Sequence, residues 1–160
     1  MKTNFKEVAH LYIGCNLVKS DLRVVKFIGI ATRSELQVYY SGDLGSGFIA
    51  YSHISPLLRP LSSITIIEAL ELGKIVSNGV LENVSEIHRT YNDVTDRAQI
   101  FYSNSTEKID LMDQSISWLE QTHSAWVELP ICNYGRMVLY LTSNGFDIFG
   151  LIKQGEAIKK

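Results

Sequence analysis

The sequence predicts an α+β fold built as a single domain over residues 1–160. Three observations predict this class. Short runs of apolar, β-branched and aromatic residues, separated by turn residues, fill the first third of the chain and return in its middle. Apolar stretches with helical spacing and glycine stops follow in the last third. With 160 residues, of which 46% are apolar, the chain is long enough to bury a core without disulfide bonds.

The N-terminal region, residues 8–54, is predicted to be rich in strands. Its four apolar runs lie at 8–18, 24–31, 36–40 and 48–54. Polar turn residues separate the first two runs, Arg33-Ser34-Glu35 precedes the third, and the glycine-rich stretch 41–47 precedes the fourth. We expect an antiparallel meander or an SH3-like half-barrel, because closure would remove exposed strand edges.

Residues 55–65, SPLLRPLSSIT, are predicted to be a stiff extended connector. Pro56 and Pro60 lack the amide hydrogen that a ladder or a helix interior requires. At the end of the connector, Thr65 and Glu68 form a capping-box pattern. This pattern predicts a helix over residues 66–74.

The rest of the chain is predicted to add a strand pair and C-terminal helices. The predicted strands lie within 84–103, and the predicted helices span 110–122 and 134–154. Leu111, Met112, Ile116 and Leu119 lie near helical spacing in the first of these helices. In the second, Gly145 supplies a stop and Asp147 is expected to cap a last short helix.

Composition and charge limit the classes of function. The net charge of -2 and the pI near 6.1 make nucleic acid an unlikely partner and give no support for a membrane partner. The first twenty residues lack the apolar core of a signal peptide, so we expect a cytoplasmic protein. Cys15 and Cys132 lack metal-ligand spacing and are expected to be reduced thiols.

The most suggestive polar set consists of Tyr39, Tyr40, Tyr51, His53 and Arg59. Strand alternation places Tyr51 and His53 on one face, and one of the two adjacent tyrosines on the same side. Aromatic rings beside a guanidinium form a cradle suited to a base and its phosphate. The alternative is that the tyrosines fill a barrel wall and Arg59 pairs with a carboxylate such as that of Glu68.

A second set of candidate ligand-binding residues lies on the middle strands and consists of His88, Arg89 and Tyr91, near Arg97 and Tyr102. A solvated sheet face is the alternative interpretation. The four histidines show no metal-ligand spacing, so neither a metal nor a cofactor is predicted. The glycine-rich stretch Gly42–Gly47 lies between two strands, which favours a hairpin turn over a phosphate loop.

Three stretches carry a resemblance. The connector Pro56–Ser62 (PLLRPLS) and the segment Gly145–Ile152 (GFDIFGLI), together with His10–Cys15 (HLYIGC), resemble motifs of a group of small proteins common in phages and prophages of Bacteroidota. The resemblance covers both ends of the chain and hardly touches residues 76–133. It implies a phage setting in a bacterial cytoplasm and attaches no catalytic residue.

The resulting hypothesis is a non-catalytic phage accessory protein that counters host defence, by sequestering a nucleotide-type signal or by occluding a host defence protein. One alternative is a phosphodiesterase-like enzyme with His53 or His88 as general base. Another is a nucleic-acid-binding accessory protein. Large apolar side chains at Trp118, Trp126 and Phe149 predict a homo-oligomer.

Overall fold

The computed structural model describes residues 4–32, 36–103, 105–131 and 133–160. Arg33-Ser34-Glu35 and Cys132 therefore lie outside the described residues. The predicted α+β class is confirmed, with helices and two sheets in the described part of the chain. The sequence predicts one domain, and the chain forms two compact units. The first unit contains Met1–Arg59 and Leu141–Lys160, and the second contains Pro60–Tyr140.

Helices and strands have the following bounds. The helices are α1 (Phe5–Val8), α2 (Ile66–Val76) and α3 (Tyr134–Ser143). The strands are β1 (Asn16–Lys19), β2 (Val24–Thr32), β3 (Leu36–Gly42), β4 (Gly45–Ala50), β5 (Ile54–Leu58), β6 (Val84–Tyr91), β7 (Asp96–Tyr102), β8 (Glu107–Met112), β9 (Ser115–Gln121), β10 (Trp126–Leu129) and β11 (Ile158–Lys159). Among the described residues, no helix is long and apolar enough to cross a membrane.

The sheet of the first unit has the strand order β11-β5-β1-β2-β3-β4 in the described chain. Strands β1 to β4 form the predicted antiparallel meander. Strand β5 then pairs with β1, on the far side from β4. Because β5 does not join β4, this sheet stays open and does not close into the half-barrel. Between β3 and β4, Gly42 and Gly45 face each other across a two-residue turn, so the glycine-rich stretch is a hairpin.

The predicted strand over 8–18 is wrong in its first half. α1 and a short 3-10 helix occupy Phe5–Tyr12 instead. Asn4 caps α1 in a capping box with Glu7. The buried side chains of this segment are spaced four and three residues apart, at Phe5, Ala9 and Tyr12. That spacing belongs to a helix, and it brings all three side chains into the core of the first unit.

The prediction that the prolines exclude a ladder partner is wrong for Pro56. Pro56 lies within β5 opposite Leu17 of β1. Alternate residues of an antiparallel pair send their amides away from the partner strand, so a proline fits at a non-hydrogen-bonded position. After β5 the chain continues through a 3-10 turn at Leu61–Ser63 to α2, where the capping box of Thr65 and Glu68 is confirmed.

The sheet of the second unit is an antiparallel meander in the order β10-β9-β8-β7-β6. The strand pair predicted within 84–103 is confirmed as β6 and β7. Residues of β7 alternate between buried and half-buried, as expected for a sheet with one face against a core. The buried face carries Ala98, Ile100 and Tyr102, and Ile109 and Leu111 continue it on β8.

The predicted helix over 110–122 is wrong, because this segment is a hairpin of β8 and β9. Met112 and Ser115 pair across a two-residue turn, and Gln114 adopts a left-handed conformation with φ of 61°. Leu111 and Ile116 are directly opposite each other in this hairpin. A helix would instead bring Met112 beside Ile116, four residues on, so the apolar spacing of this segment is compatible with either structure.

The predicted helix 134–154 is confirmed only as far as α3, which ends at Ser143. Gly145 has a φ of 75° and provides the predicted stop. The predicted last helix capped by Asp147 is wrong, although the Asp147 carboxylate accepts hydrogen bonds from the amides of Leu151 and Ile152 at 2.8 and 2.7 Å. Residues 148–155 mostly form turns instead of a helix. The left-handed φ of 68° at Gly150 would interrupt a helix there.

The close approach of α2 to β7 yields a stability prediction. A Cβ atom at Gly73 would lie 2.5 Å from the ring of Tyr102, whose hydroxyl donates to the carbonyl of Ala69 at 2.8 Å. We expect Gly73→Ala to lower the free energy of unfolding by about 1–3 kcal/mol through overpacking. Chemical denaturation checks this value. Gly135→Ala is the control, because a Cβ there meets no atom within 4 Å, and equal losses in the two variants would contradict the prediction.

Candidate functional site

Two hairpin ends of the first unit enclose a cavity of about 400 Å³, here called the hairpin cavity. It lies between the β1–β2 turn and the β3–β4 turn. Its lining residues are Lys19, Arg23, Val24, Val25, Tyr40, Gly42, Asp43, Leu44, Gly45 and Ser46. Strand pairing through β1, β2 and β3 sets its walls, so the cavity is formed by regular structure and two tight turns.

A lysine and a tyrosine form the centre of the hairpin cavity. The Lys19 Nζ atom lies 3.4 Å from the Tyr40 hydroxyl, to which it donates a hydrogen bond. The same atom is 4.7 Å from the centroid of the Tyr40 ring. Only 12% of the Lys19 side chain is exposed. The cation is therefore held against an aromatic ring in a partly dehydrated position, where cation–π attraction is stronger than at an exposed site.

Arg23 adds a second cation at the rim of the hairpin cavity. Its guanidinium donates to the carboxylate of Asp21, and this hydrogen bond lowers the pKa of Asp21 to about 2. Lys19 also lies 3.8 Å from the Asp21 carboxylate. An exposed ion pair contributes little net free energy, so Arg23 can exchange Asp21 for another anion at low cost.

Small residues allow the two hairpins to approach at this site. A Cβ atom at Gly42 would lie 3.1 Å from Val25, and one at Gly47 would lie 3.4 Å from the Tyr40 hydroxyl. Gly45 has a φ of 115°, which the tight turn requires. The glycine-rich stretch therefore shapes the cavity rather than opening a helix toward a ligand.

The structure separates the five residues of the first predicted cradle. Tyr40 lines the hairpin cavity, whereas Tyr39 lies on the opposite face of β3, 5.0 Å from the ring of Phe48. Tyr51 and His53 lie in a 3-10 turn rather than on a strand. The predicted sharing of one strand face by Tyr51 and His53 is therefore wrong.

The other cradle residues have separate surroundings. The Tyr51 ring packs 5.8 Å from that of Phe5, and burial raises the pKa of its hydroxyl. His53 is exposed. The Arg59 guanidinium lies 4.4 Å from the centroid of the Phe146 ring. Sequence reasoning missed Lys19 and Arg23, for which the basic turn KSDLR between two apolar runs was the available signal.

The second predicted set does not converge either. His88 forms a 2.6 Å contact with the Glu86 carboxylate, and its ring lies 4.9 Å from that of Phe101. Arg89 points to the other face of β6, where it donates to the carbonyl of Ile64 at 2.9 Å. Tyr91 is exposed at the end of the same strand.

The half-exposed face of the second sheet carries an aromatic and charged cluster. Lys108 is only 6% exposed, and its Nζ atom lies 4.2 Å from the Trp126 ring centroid and 5.6 Å from that of Phe101. Beside it, Arg97 pairs with Asp110. Because these cations already have partners within the sheet, the face is an internally paired surface rather than an open cradle.

The large apolar side chains behind the oligomer prediction contact neighbours within their own units. Trp118 donates its indole N–H to Glu107 at 2.8 Å, and the Phe149 ring packs 6.2 Å from that of Tyr12. Trp126 covers Lys108. The homo-oligomer stays a prediction. In the part of the chain that the structure describes, no three histidine, cysteine, aspartate or glutamate side chains group as metal ligands.

The Asp110 cluster yields a pH prediction. Burial raises the pKa of Asp110, but hydrogen bonds from Arg97 and Gln99 and the charges of Arg97 and Lys108 outweigh burial and hold this pKa below its usual value. A lowered folded-state pKa stabilises the fold above the unfolded-state pKa of about 3.9, and this stabilisation is lost as the pH falls through the folded-state pKa.

We therefore expect the wild-type free energy of unfolding to fall more steeply than that of Asp110→Asn as the pH decreases below about 4. Urea denaturation over a pH series measures both curves. Arg97→Gln removes the main cause of the lowered pKa and should also flatten the pH dependence. Parallel curves for the three proteins would refute the assignment.

The hairpin cavity has no counterpart from which a role can be transferred. Comparisons with protein-family models, with curated proteins and with solved structures found no match to this chain. The function must therefore be argued from the geometry of the described residues.

Proposed function

We propose that the protein is a non-catalytic binding protein whose ligand is a nucleotide-type small anion held in the hairpin cavity. The observation that carries this proposal is the position of Lys19 against Tyr40, which puts a cation and an aromatic ring side by side in one concavity. A nucleotide combines a flat base with a phosphate. An aromatic ring is suited to contact the base, and a cation is suited to neutralise the phosphate.

The size and the lining of the hairpin cavity support a ligand of this class. A volume of about 400 Å³ lies within the range of small-molecule sites. Val24, Val25 and Leu44 offer apolar contact to a base, while Lys19 and Arg23 are placed to neutralise a phosphate. Asp43 at the other turn is suited to accept a hydrogen bond from a base or a ribose.

The absence of catalysis in this proposal rests on the positions of the candidate general bases. His53 and His88 are not among the residues that line the hairpin cavity, and His88 belongs to the other unit. General acid–base catalysis needs a group within hydrogen-bond reach of the reacting proton. Sequestration needs only affinity. In the phage setting that the sequence resemblance implies, the protein would keep a nucleotide signal from its host receptor.

A thermal-shift screen against mono-, di- and cyclic nucleotides tests this proposal. A ligand that binds only the folded form raises the melting temperature. We expect Arg23→Gln and Lys19→Gln each to weaken nucleotide affinity about tenfold, as for loss of one charge-assisted hydrogen bond. Arg136→Gln, which removes an exposed cation on α3, is the charge-matched control and should bind like the wild type.

The bound nucleotide is then released by heating and analysed. Recovery of intact nucleotide supports sequestration, whereas an altered nucleotide would replace the proposal with the enzymatic alternative. Equal affinity in Arg23→Gln, Lys19→Gln and the wild type would remove the hairpin cavity as the site. Steeply salt-dependent DNA retardation without nucleotide binding would favour the nucleic-acid alternative.

A further inference from the structure

We propose that a second cavity of the first unit, beside Cys15, binds a tetrahedral oxyanion of the phosphate class. This Cys15 cavity has a volume of about 110 Å³. Its lining residues are Gly14, Cys15, Asn16, Lys26, Arg59, Ser143, Asn144, Gly145 and Lys160. It shares no lining residue with the hairpin cavity, so this proposal stands independently of the proposed function.

Backbone hydrogen bonds fix the walls of the Cys15 cavity. The amide of Gly14 donates to the carbonyl of Phe27 at 2.8 Å, and that of Arg59 donates to the carbonyl of Gly145 at 2.7 Å. The amide of Lys160 donates to the carbonyl of Leu58, also at 2.7 Å. Chain segments that are far apart in sequence thus meet at one rigid site. Binding of an anion would not need to order the backbone of that site.

The side chains that line the Cys15 cavity carry positive charge. Lys26, Arg59 and Lys160 contribute three cationic side chains, and none of the described lining residues has a carboxylate side chain. This concentration contrasts with the net charge of -2 for the whole chain. A concave site lined by charges of one sign attracts counter-ions.

The Cys15 thiol reports the same local field. Burial raises its pKa, while the charges of Lys26 and Lys160 act in the opposite direction. Both lysines therefore lie close enough to Cys15 for their charges to act on its thiol. The thiol itself donates to the carbonyl of Thr142 at 3.0 Å.

The C-terminal end of α3, which carries partial negative charge, reaches the Cys15 cavity at Ser143. Its last carbonyls already accept hydrogen bonds, since Leu141 accepts from the amide of Phe146 and Thr142 accepts from the amide of Gly145. The Cys15 thiol adds a second donor to the Thr142 carbonyl. The oxygen atoms with the largest share of the helix dipole are thus paired within the fold.

Size and donor chemistry select the ligand class. A cavity of about 110 Å³ is small, and its size suits one phosphate group. Ammonium, guanidinium, amide and hydroxyl groups, from Lys26, Arg59, Asn16 and Ser143, are the donors that phosphate oxygens accept.

Titration with inorganic phosphate, at ionic strength held constant with chloride, tests this site. The amide signals of Gly14 and Gly145 in a heteronuclear NMR spectrum follow binding at the cavity wall. We expect Lys26→Gln and Lys160→Gln each to weaken phosphate binding about tenfold. Lys159→Gln is the matched control, because it removes a neighbouring lysine that does not line the cavity.

Equal phosphate affinity in all three lysine variants and the wild type would overturn the proposal, and so would equal signal changes with chloride alone. Arg23→Gln should keep its phosphate response, so failure of the hairpin cavity and failure of this site can be told apart. A parallel titration with a sugar phosphomonoester identifies the source of the phosphate. Stronger binding of inorganic phosphate than of the sugar phosphomonoester, or the reverse, supports an oxyanion site in either case.

Discussion

A buried aspartate in each unit supplies the hydrogen bonds that irregular backbone needs. In the second unit, Asp96 accepts from the amides of Leu61 and Ser62 at 2.6 and 2.9 Å, and it is only 3% exposed. In the first unit, Asp147 does the same for the turns that follow Phe146. A buried amide without a partner costs about 1–3 kcal/mol, so each carboxylate permits a short non-regular segment to enter a core.

Strand β1 organises both cavities of the first unit although it has only four residues. Its neighbours β5 and β2 fix it from both sides. Leu17 points into the core, Lys19 reaches the hairpin cavity, and Asn16 lies at the Cys15 cavity. Because side chains alternate along a strand, Leu17 and Lys19 share one face, with Lys19 at the end of the strand, and Asn16 lies on the opposite face.

Local signals in the sequence were sufficient where a single physical rule decided the structure. The capping box of Thr65 and Glu68, the β6–β7 hairpin and the glycine stop at Gly145 followed such rules. The prediction for the 110–122 segment failed because its apolar residues fit both patterns: a helix brings Met112 to Ile116, and the hairpin brings Leu111 to Ile116. Strand alternation separated Tyr39 from Tyr40 but did not tell which one faces Lys19. That choice depends on the register of β1, β2 and β3, which only tertiary structure fixes.

The position of Pro56 also fits the point where β5 extends beyond β11. The Leu58 carbonyl accepts a hydrogen bond from the amide of Lys160. Residues two apart in a strand turn their backbone groups to the same side, so Pro56 also faces the side of β11. In the described chain β11 pairs with Leu57 and Leu58, and Pro56 itself is buried. A buried amide without a partner would lower stability, and the backbone of Pro56 has no amide to satisfy.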